Sequence, residues 1–228
     1  MTRYSIITGT YNQMEFLPKL VESLENQTFK DFEWVVCDDG STDGTEDYIK
    51  GLNVKFPVKY VRQKNKGMRL GKNLNNGIKI AEGDYIVLIM GDSYPELNYL
   101  ENLEELADEE FCICGVRVDV HEGKLAETDW RLRKGLIPSD IMMIISNPFQ
   151  CLTGNGLVIP RRAFKEVGLL KEYKGYGGED NEIISRLYYK GYIFWSTPSL
   201  TLYHHWHPRK DSANGEQTLK DTYKNYGK

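Results

Sequence analysis

Trp34, Val35, Val36 and Cys37 run directly into Asp38, Asp39 and Gly40, and Ser41, Thr42 and Asp43 follow. An apolar run of that length suits a strand buried on both faces, and the switch to Asp-Gly-Ser chemistry marks a turn. Ser41 to Asp43 are residue types that cap a helix, which predicts a short helix through Ile49. The stretch reads as strand, turn, helix, and the same unit recurs on either side of it. Tyr4 to Thr8 is β-rich, and Leu17, Leu20, Val21 and Leu24 then recur at helical spacing, with the helix ending near Gln27. Val58 to Val61 predicts a third strand. A loop rich in Lys and Gly, Gln63 to Gly71, leads from it to a helix ending near Ala81. Tyr85 to Met90 is apolar throughout and predicts a central strand that stops at Gly91, Asp92 and Ser93.

Strands alternating with helices predict an α/β fold with a mostly parallel sheet and right-handed crossovers. In such sheets a ligand lies beyond the carboxyl ends of the strands. The segment Gly9 to Tyr11, the pair Asp38 and Asp39, and the pair Gly91 and Asp92 all fall there. Three polar clusters converging on one edge place the active site at that edge. The second half is less regular. Phe111 to Val118 reads as a strand, residues 121–150 carry no clear period, and Gly156 to Ile159 is a short strand. Arg161 to Val167 and Glu179 to Tyr189 read as helices, and Leu200 to Trp206 as the last strand.

Composition narrows the function. The chain has 228 residues, 40% hydrophobic and 27% charged, which suits a folded domain with its own core. Its net charge of -4 lacks the basic face of a nucleic-acid binder. No apolar run is long enough to span a bilayer, and the N-terminus runs directly into a strand with no room for a leader peptide. A cytoplasmic location is therefore expected. Cys37, Cys112 and Cys114 sit in apolar runs and read as buried small hydrophobes in a reducing compartment.

With the elements placed, the motifs resemble family 2 glycosyltransferases. Ser5 to Asn12, the Gln27-Thr28-Phe29 fragment and Asp38 to Asp43 look like that family's N-terminal half, and Tyr176 to Asp180 looks like its acceptor-side motif. The resemblance runs from about Arg3 to about His207. It implies a GT-A-type fold, a mixed, mainly parallel sheet flanked by helices, with residues 1–207 forming one domain. Residues 1–93 would bind the nucleotide, residues 94–207 the acceptor, and 208–228 would be a polar, loosely docked tail.

The resemblance also implies roles. Asp39 would accept a hydrogen bond from the nucleobase, commonly the uracil N3–H, with Asp38 behind it. The backbone at Thr8 and Thr10, together with Tyr11, would flank the base or ribose. Arg69 and Lys72 are the better candidates for the diphosphate, with Asn73 beside them; a solvated basic loop is the competing reading. Gly91 and Asp92 occupy the place of the family's metal-binding DxD motif, here Met90-Gly91-Asp92 with only the last aspartate kept. His207 fits the family's metal-ligating histidine best, with His205 or His204 next, and Mn²⁺ or Mg²⁺ is the implied cofactor. Three of the four histidines lie within residues 204–207. Asp180 matches the general base and Glu179 an acceptor- or sugar-binding carboxylate; helix capping by acidic residues is the alternative. Gly154 and Asn155 look like the segment beneath the donor sugar. Trp130, Arg131 and Trp206 read equally as sugar platforms or as core.

The expected reaction is metal-assisted transfer, with inversion, from a nucleotide sugar, a UDP-sugar by this reading. The acceptor would be a hydroxyl of a glycan or a lipid-linked carrier. A catalytically silent nucleotide-sugar-binding module is the alternative raised by the incomplete DxD motif. A nucleotidyltransferase ranks last, because Gly9 to Asn12 lacks a basic residue directly after the first strand.

Overall fold

The two-residue period of the first strand sets the layering. The computed structural model of the chain describes residues 2–136, 143–146, 148–175 and 177–207. Tyr176 and the tail from Pro208, both named above, lie outside them. Strand β1 (Tyr4–Thr10) sends Tyr4 and Ile6 into one apolar cluster and Ile7 into another, as alternation requires. Every residue of β1 and of β2 (Phe32–Asp38) is buried, so both faces of the sheet are covered.

Helix α1 (Leu17–Asn26) starts on a proline at its first turn and buries Leu17, Leu20, Val21 and Leu24 against the Tyr4 face. Trp34 of β2 fills the same cluster. After α2 (Thr45–Lys50) and β3 (Val58–Arg62), helix α3 (Leu70–Ile78) covers the Ile7 face with Leu74 and Ile78. Each such aliphatic side chain fully buried stabilises the fold by about 1.5–3 kcal/mol.

The second half extends the same sheet. It contains β4 (Tyr85–Leu88), β5 (Ser93–Pro95), α4 (Tyr99–Leu106), β6 (Phe111–His121), β7 (Lys124–Thr128) and α5 (Trp130–Arg133). Then come β8 (Met143–Ile144), α6 (Pro148–Cys151), β9 (Leu157–Pro160), α7 (Ala163–Val167), α8 (Glu179–Lys190) and β10 (Ile193–His205). The order is β3-β2-β1-β4-β9-β6-β10-β5, with β7 beside β6 and β8 beside β10. Pairing is parallel from β3 to β4 and between β6 and β10, and β9 runs antiparallel to both β4 and β6. The expected mixed sheet flanked by helices is what the chain forms, with β4 central. Cys37, Cys112 and Cys114 are buried free thiols in one apolar cluster, and burial pushes the Cys37 thiol up to about 12.

Two local expectations need correction. Helix α2 begins at Thr45 with Gly44 at its cap, where φ is 90°. Asp43 caps from one residue upstream, its Oδ1 accepting from the Thr45 amide at 3.2 Å and from the Thr45 hydroxyl at 2.7 Å. The last strand begins at Ile193, not Leu200, because its partner β6 is long enough to pair beyond an irregularity between Ser196 and Thr201.

The aperiodic segment after β6 is tied down by a buried ion pair. Asp129 and Arg131 are both almost wholly buried. The Arg131 Nε donates to Asp129 Oδ1 at 2.9 Å, and its Nη2 donates to Asp129 Oδ2 and to the Gly115 carbonyl. The Arg117 amide donates to Asp129 Oδ2 at 2.9 Å. Arg131 is thus core, not a sugar platform. Asp129→Ala strands a guanidinium in the interior and should cost about 3–5 kcal/mol. Urea denaturation measures this; a loss below 1 kcal/mol would show that the pair does not anchor the segment.

Candidate active site

Backbone hydrogen bonds lace the strand ends together. The Asp39 amide donates to the Thr10 carbonyl at 3.0 Å, and the Gly91 amide to the Gly9 carbonyl at 3.1 Å. Beyond β1, Asn12 turns the chain with φ 50° and clips it to the loop after β2. Its amide donates to Ser41 Oγ and its Oδ1 accepts from the Thr42 amide. Gly91 has no room for a side chain: a Cβ there would lie 2.7 Å from Gln13 Oε1 and 2.9 Å from Thr10 Oγ1. These contacts bring Thr10, Tyr11, Asp38, Asp39, Gly91 and Asp92 to one edge.

The two aspartates after β2 divide their work. Asp38 is fully buried. Its Oδ1 accepts from the Ser41 amide and hydroxyl, and its Oδ2 from the Tyr60 hydroxyl. Asp38 therefore holds the turn and has no capacity to spare for a ligand. Asp39 keeps some exposure; its Oδ1 accepts from Gln63 Nε2 at 2.8 Å, and no described donor reaches its Oδ2. Asn76 donates to Gln63 Oε1 at 3.2 Å, which fixes the orientation of that amide. Gln63 also lines a cavity of about 600 Å³ with Gly40, Arg62, Lys64 and Asn65. Gly40 is required there: its φ is 82°, and a Cβ would lie 2.7 Å from the Asn65 amide. The Arg69 Nη2 lies 3.7 Å from Asp39 and donates to the Lys64 carbonyl, while its Nε is buried with no partner among the described residues. That unpaired donor fits an anionic ligand.

A second cluster centres on Asp92. Its Oδ2 accepts from Gln13 Nε2 at 2.9 Å and lies 3.2 Å from His207 Nε2 and 3.8 Å from His204 Nε2. Burial works against ionisation of Asp92, but the hydrogen bond with His207 and the nearby imidazoles hold its carboxyl below the usual carboxylate range. Burial also lowers the His204 imidazole, which favours the neutral form that a metal needs. One ligand atom each from Asp92, His204 and His207 lie within 4.8 Å of one another. One carboxylate oxygen and two imidazole nitrogens form a mixed donor set suited to Mn²⁺.

Glu179 and Asp180 open helix α8 after Gly178. Asp180 Oδ2 accepts from the Gly154 amide at 2.9 Å, and its Oδ1 from the Asn181 amide. Asn155 continues the bridge: its Oδ1 accepts from the Met90 amide at 3.1 Å and its Nδ2 donates to Ser93 Oγ at 2.8 Å. Ser93 in turn donates to Asp92 Oδ1. Glu179 is buried beside Asp180, and desolvation together with that neighbouring charge pushes its carboxyl up to about 7.

Several expected site residues are placed elsewhere. Thr8 is buried, with its hydroxyl accepting from the Trp34 indole, and it faces the core. Asn73 is buried on α3, where it donates to the Cys37 carbonyl. Lys72 reaches Glu172 at 3.8 Å. His205 is a correction: it stacks on Phe16 at 4.8 Å and lies against Tyr94. Strand β10 ends at His205, so alternation does not carry through to His207, and it is His204 that faces Asp92. Trp206 is half-exposed against His121, and the Trp130 side chain lies outside the described residues. Gln13, Gln63 and Asn76 join the site without a signal in the sequence, because a lone side-chain amide beside a motif carries no periodic pattern.

Residues 5–168 match the model of glycosyl transferase family 2. The chain is 28% identical to an Escherichia coli chondroitin synthase over 95% of its own length and 37% of that protein's. It therefore spans little more than a third of that relative. S. aureus TarS 1-349 in complex with UDP-GlcNAc shares its fold with TM-score 0.74 at 19% identity, over 92% of this chain and 60% of that TarS fragment. GalNAc-T7 with UDP, GalNAc and Mn²⁺ shares it with TM-score 0.71 at 18% identity, over 91% of this chain and 44% of the other. The GT-A-type fold expected from the sequence is the one the chain has, and with its family model matched over most of its length the chain belongs to glycosyl transferase family 2.

Proposed function

We propose that the chain transfers a sugar from a nucleotide sugar, most simply a UDP-sugar, to an acceptor hydroxyl of a glycan or lipid-linked carrier, with inversion at the anomeric carbon. The observation that carries this reading is the Gly154–Asn155 bridge, which hydrogen-bonds Asp180 on one side and Met90 and Ser93, beside Asp92, on the other. It holds a carboxylate base and a candidate diphosphate site in one rigid frame. Residues 1–93 read as the nucleotide half and 94–207 as the acceptor half. Likeness to a chondroitin synthase and to structures holding UDP-GlcNAc or UDP supports a polysaccharide-related, UDP-linked reaction. Four free cysteines fit a cytoplasmic setting.

In this reading Asp39 Oδ2 accepts from the base N–H, with Gln63 and Asn76 fixing the carboxylate. Arg69 faces the diphosphate. Asp92, His207 and His204 hold Mn²⁺ or Mg²⁺, which when bound would stabilise the charge of the departing diphosphate. Asp180 takes the proton from the acceptor hydroxyl. Burial and the neighbouring carboxylate push Glu179 up to about 7, so it holds its proton more tightly than an ordinary glutamate. A nucleotide-sugar-binding module without turnover is the second reading, favoured by Met90 in the place of a carboxylate; turnover decides between them.

Titration calorimetry should find UDP bound more tightly than GDP or ADP, with the preference lost in Asp39→Ala. Equal affinity for all three in the wild-type protein would reject the base-reading role. Asp180→Asn should slow transfer by ~10²–10⁴-fold while leaving UDP affinity and melting temperature near wild type. A variant that turns over normally and only melts earlier would make Asp180 a helix cap and nothing more. A third expectation concerns pH. The folded Glu179 carboxyl binds its proton more tightly than an unfolded one, at about 7 against 4.5. Its stabilising contribution is therefore present at low pH and fades as pH rises through about 7. Glu179→Gln should flatten the decline of melting temperature across that range, and an unchanged pH profile would show that Glu179 ionises normally.

A further inference from the structure

We propose that Asp119 is a positioning residue of the metal site, holding His204 so that this histidine takes the ligand place that Met90 does not fill in Met90-Gly91-Asp92. The inference rests on the metal reading given above. Its basis is sheet register. In the parallel pairing of β10 with β6, His204 stands opposite Asp119; in the antiparallel pairing of β10 with β5, it stands opposite Ser93, next to Asp92. Register partners project to the same face, so the row Asp119, His204, Ser93 is set by backbone hydrogen bonds on both sides.

The side chains complete the row. His204 Nδ1 lies 2.9 Å from Asp119 Oδ1, and Asp119 Oδ1 is in turn 3.2 Å from Arg117 Nε. Asp119 and His204 side chains are mostly buried, at 14% and 13% exposure, so water competes poorly for either contact. A carboxylate at Nδ1 places the ring proton there and leaves Nε2 with its lone pair, 3.8 Å from Asp92 Oδ2. A carboxylate that orients a histidine and raises its basicity is a recurring support for metal sites, and its loss costs roughly 10–100-fold in affinity. Met90 packs partly against the core and offers no hard donor, so His204 supplies from the far side of the sheet a donor that the short motif lacks.

The test measures Mn²⁺ itself. Binding of MnCl₂ to the full chain with UDP present is followed by the loss of the free Mn²⁺ EPR signal, and pulsed EPR counts imidazole nitrogens on the bound ion. Wild type should show two. Asp119→Ala should bind Mn²⁺ roughly 10–100-fold more weakly and lose one nitrogen, as His204→Ala should, with UDP affinity in EDTA unchanged. Asp119→Leu, similar in size but without an acceptor, gives the same readout if the alanine variant does not fold. A folded variant of either kind with wild-type Mn²⁺ affinity and both nitrogens overturns the role of Asp119 alone. A wild-type protein that binds no Mn²⁺ overturns the metal reading and this inference with it.

Discussion

The Gly91 amide reaches the Gly9 carbonyl at 3.1 Å because position 91 carries no side chain; a single methyl group there would meet Gln13 and Thr10. That close approach keeps the end of β4 against the end of β1 and puts Asp92 within reach of Gln13. The Asp39 amide does the same for β2 through the Thr10 carbonyl. Parallel strands whose ends are tied by backbone bonds form a rigid rim, and the polar groups on that rim lose little further freedom on binding. Such pre-organisation favours a site that must hold a highly charged ligand in one orientation.

Charge along the rim is graded by environment and not by residue type. Asp38 is buried and spent on the turn, while Asp39 keeps one oxygen open. Asp92 is buried too, but imidazoles keep it ionised. Glu179 has burial and a neighbouring carboxylate against its ionisation, which push it up to about 7. Four kinds of carboxyl behaviour thus arise within one sheet edge, each from its local partners. The Gly154–Asn155 bridge ties Asp180 to Met90 and Ser93, which flank Gly91 and Asp92.

Much of this was legible from sequence. Apolar runs alternating with helical spacing determine a layered α/β fold whatever the details, because a sheet buried on both faces needs continuous apolar strands. Turn chemistry at Asp38-Asp39-Gly40 and Gly91-Asp92 pointed to the candidate site, since in such sheets the strand ends are where polar groups collect. What tertiary structure alone decided concerns direction and register. His205 and His204 are adjacent in sequence and face opposite sides of β10, so counting residues could not choose between them; the pairing of β10 with β5 and β6 did. Thr8 and Asn73 sit in the right motifs but point into the core, toward Trp34 and the Cys37 carbonyl. Asp119 lies 85 residues from His204 in sequence, and only the parallel pairing of two strands makes them neighbours. Local pattern determines which elements form, whereas the partners of a polar side chain depend on contacts between elements distant in the chain.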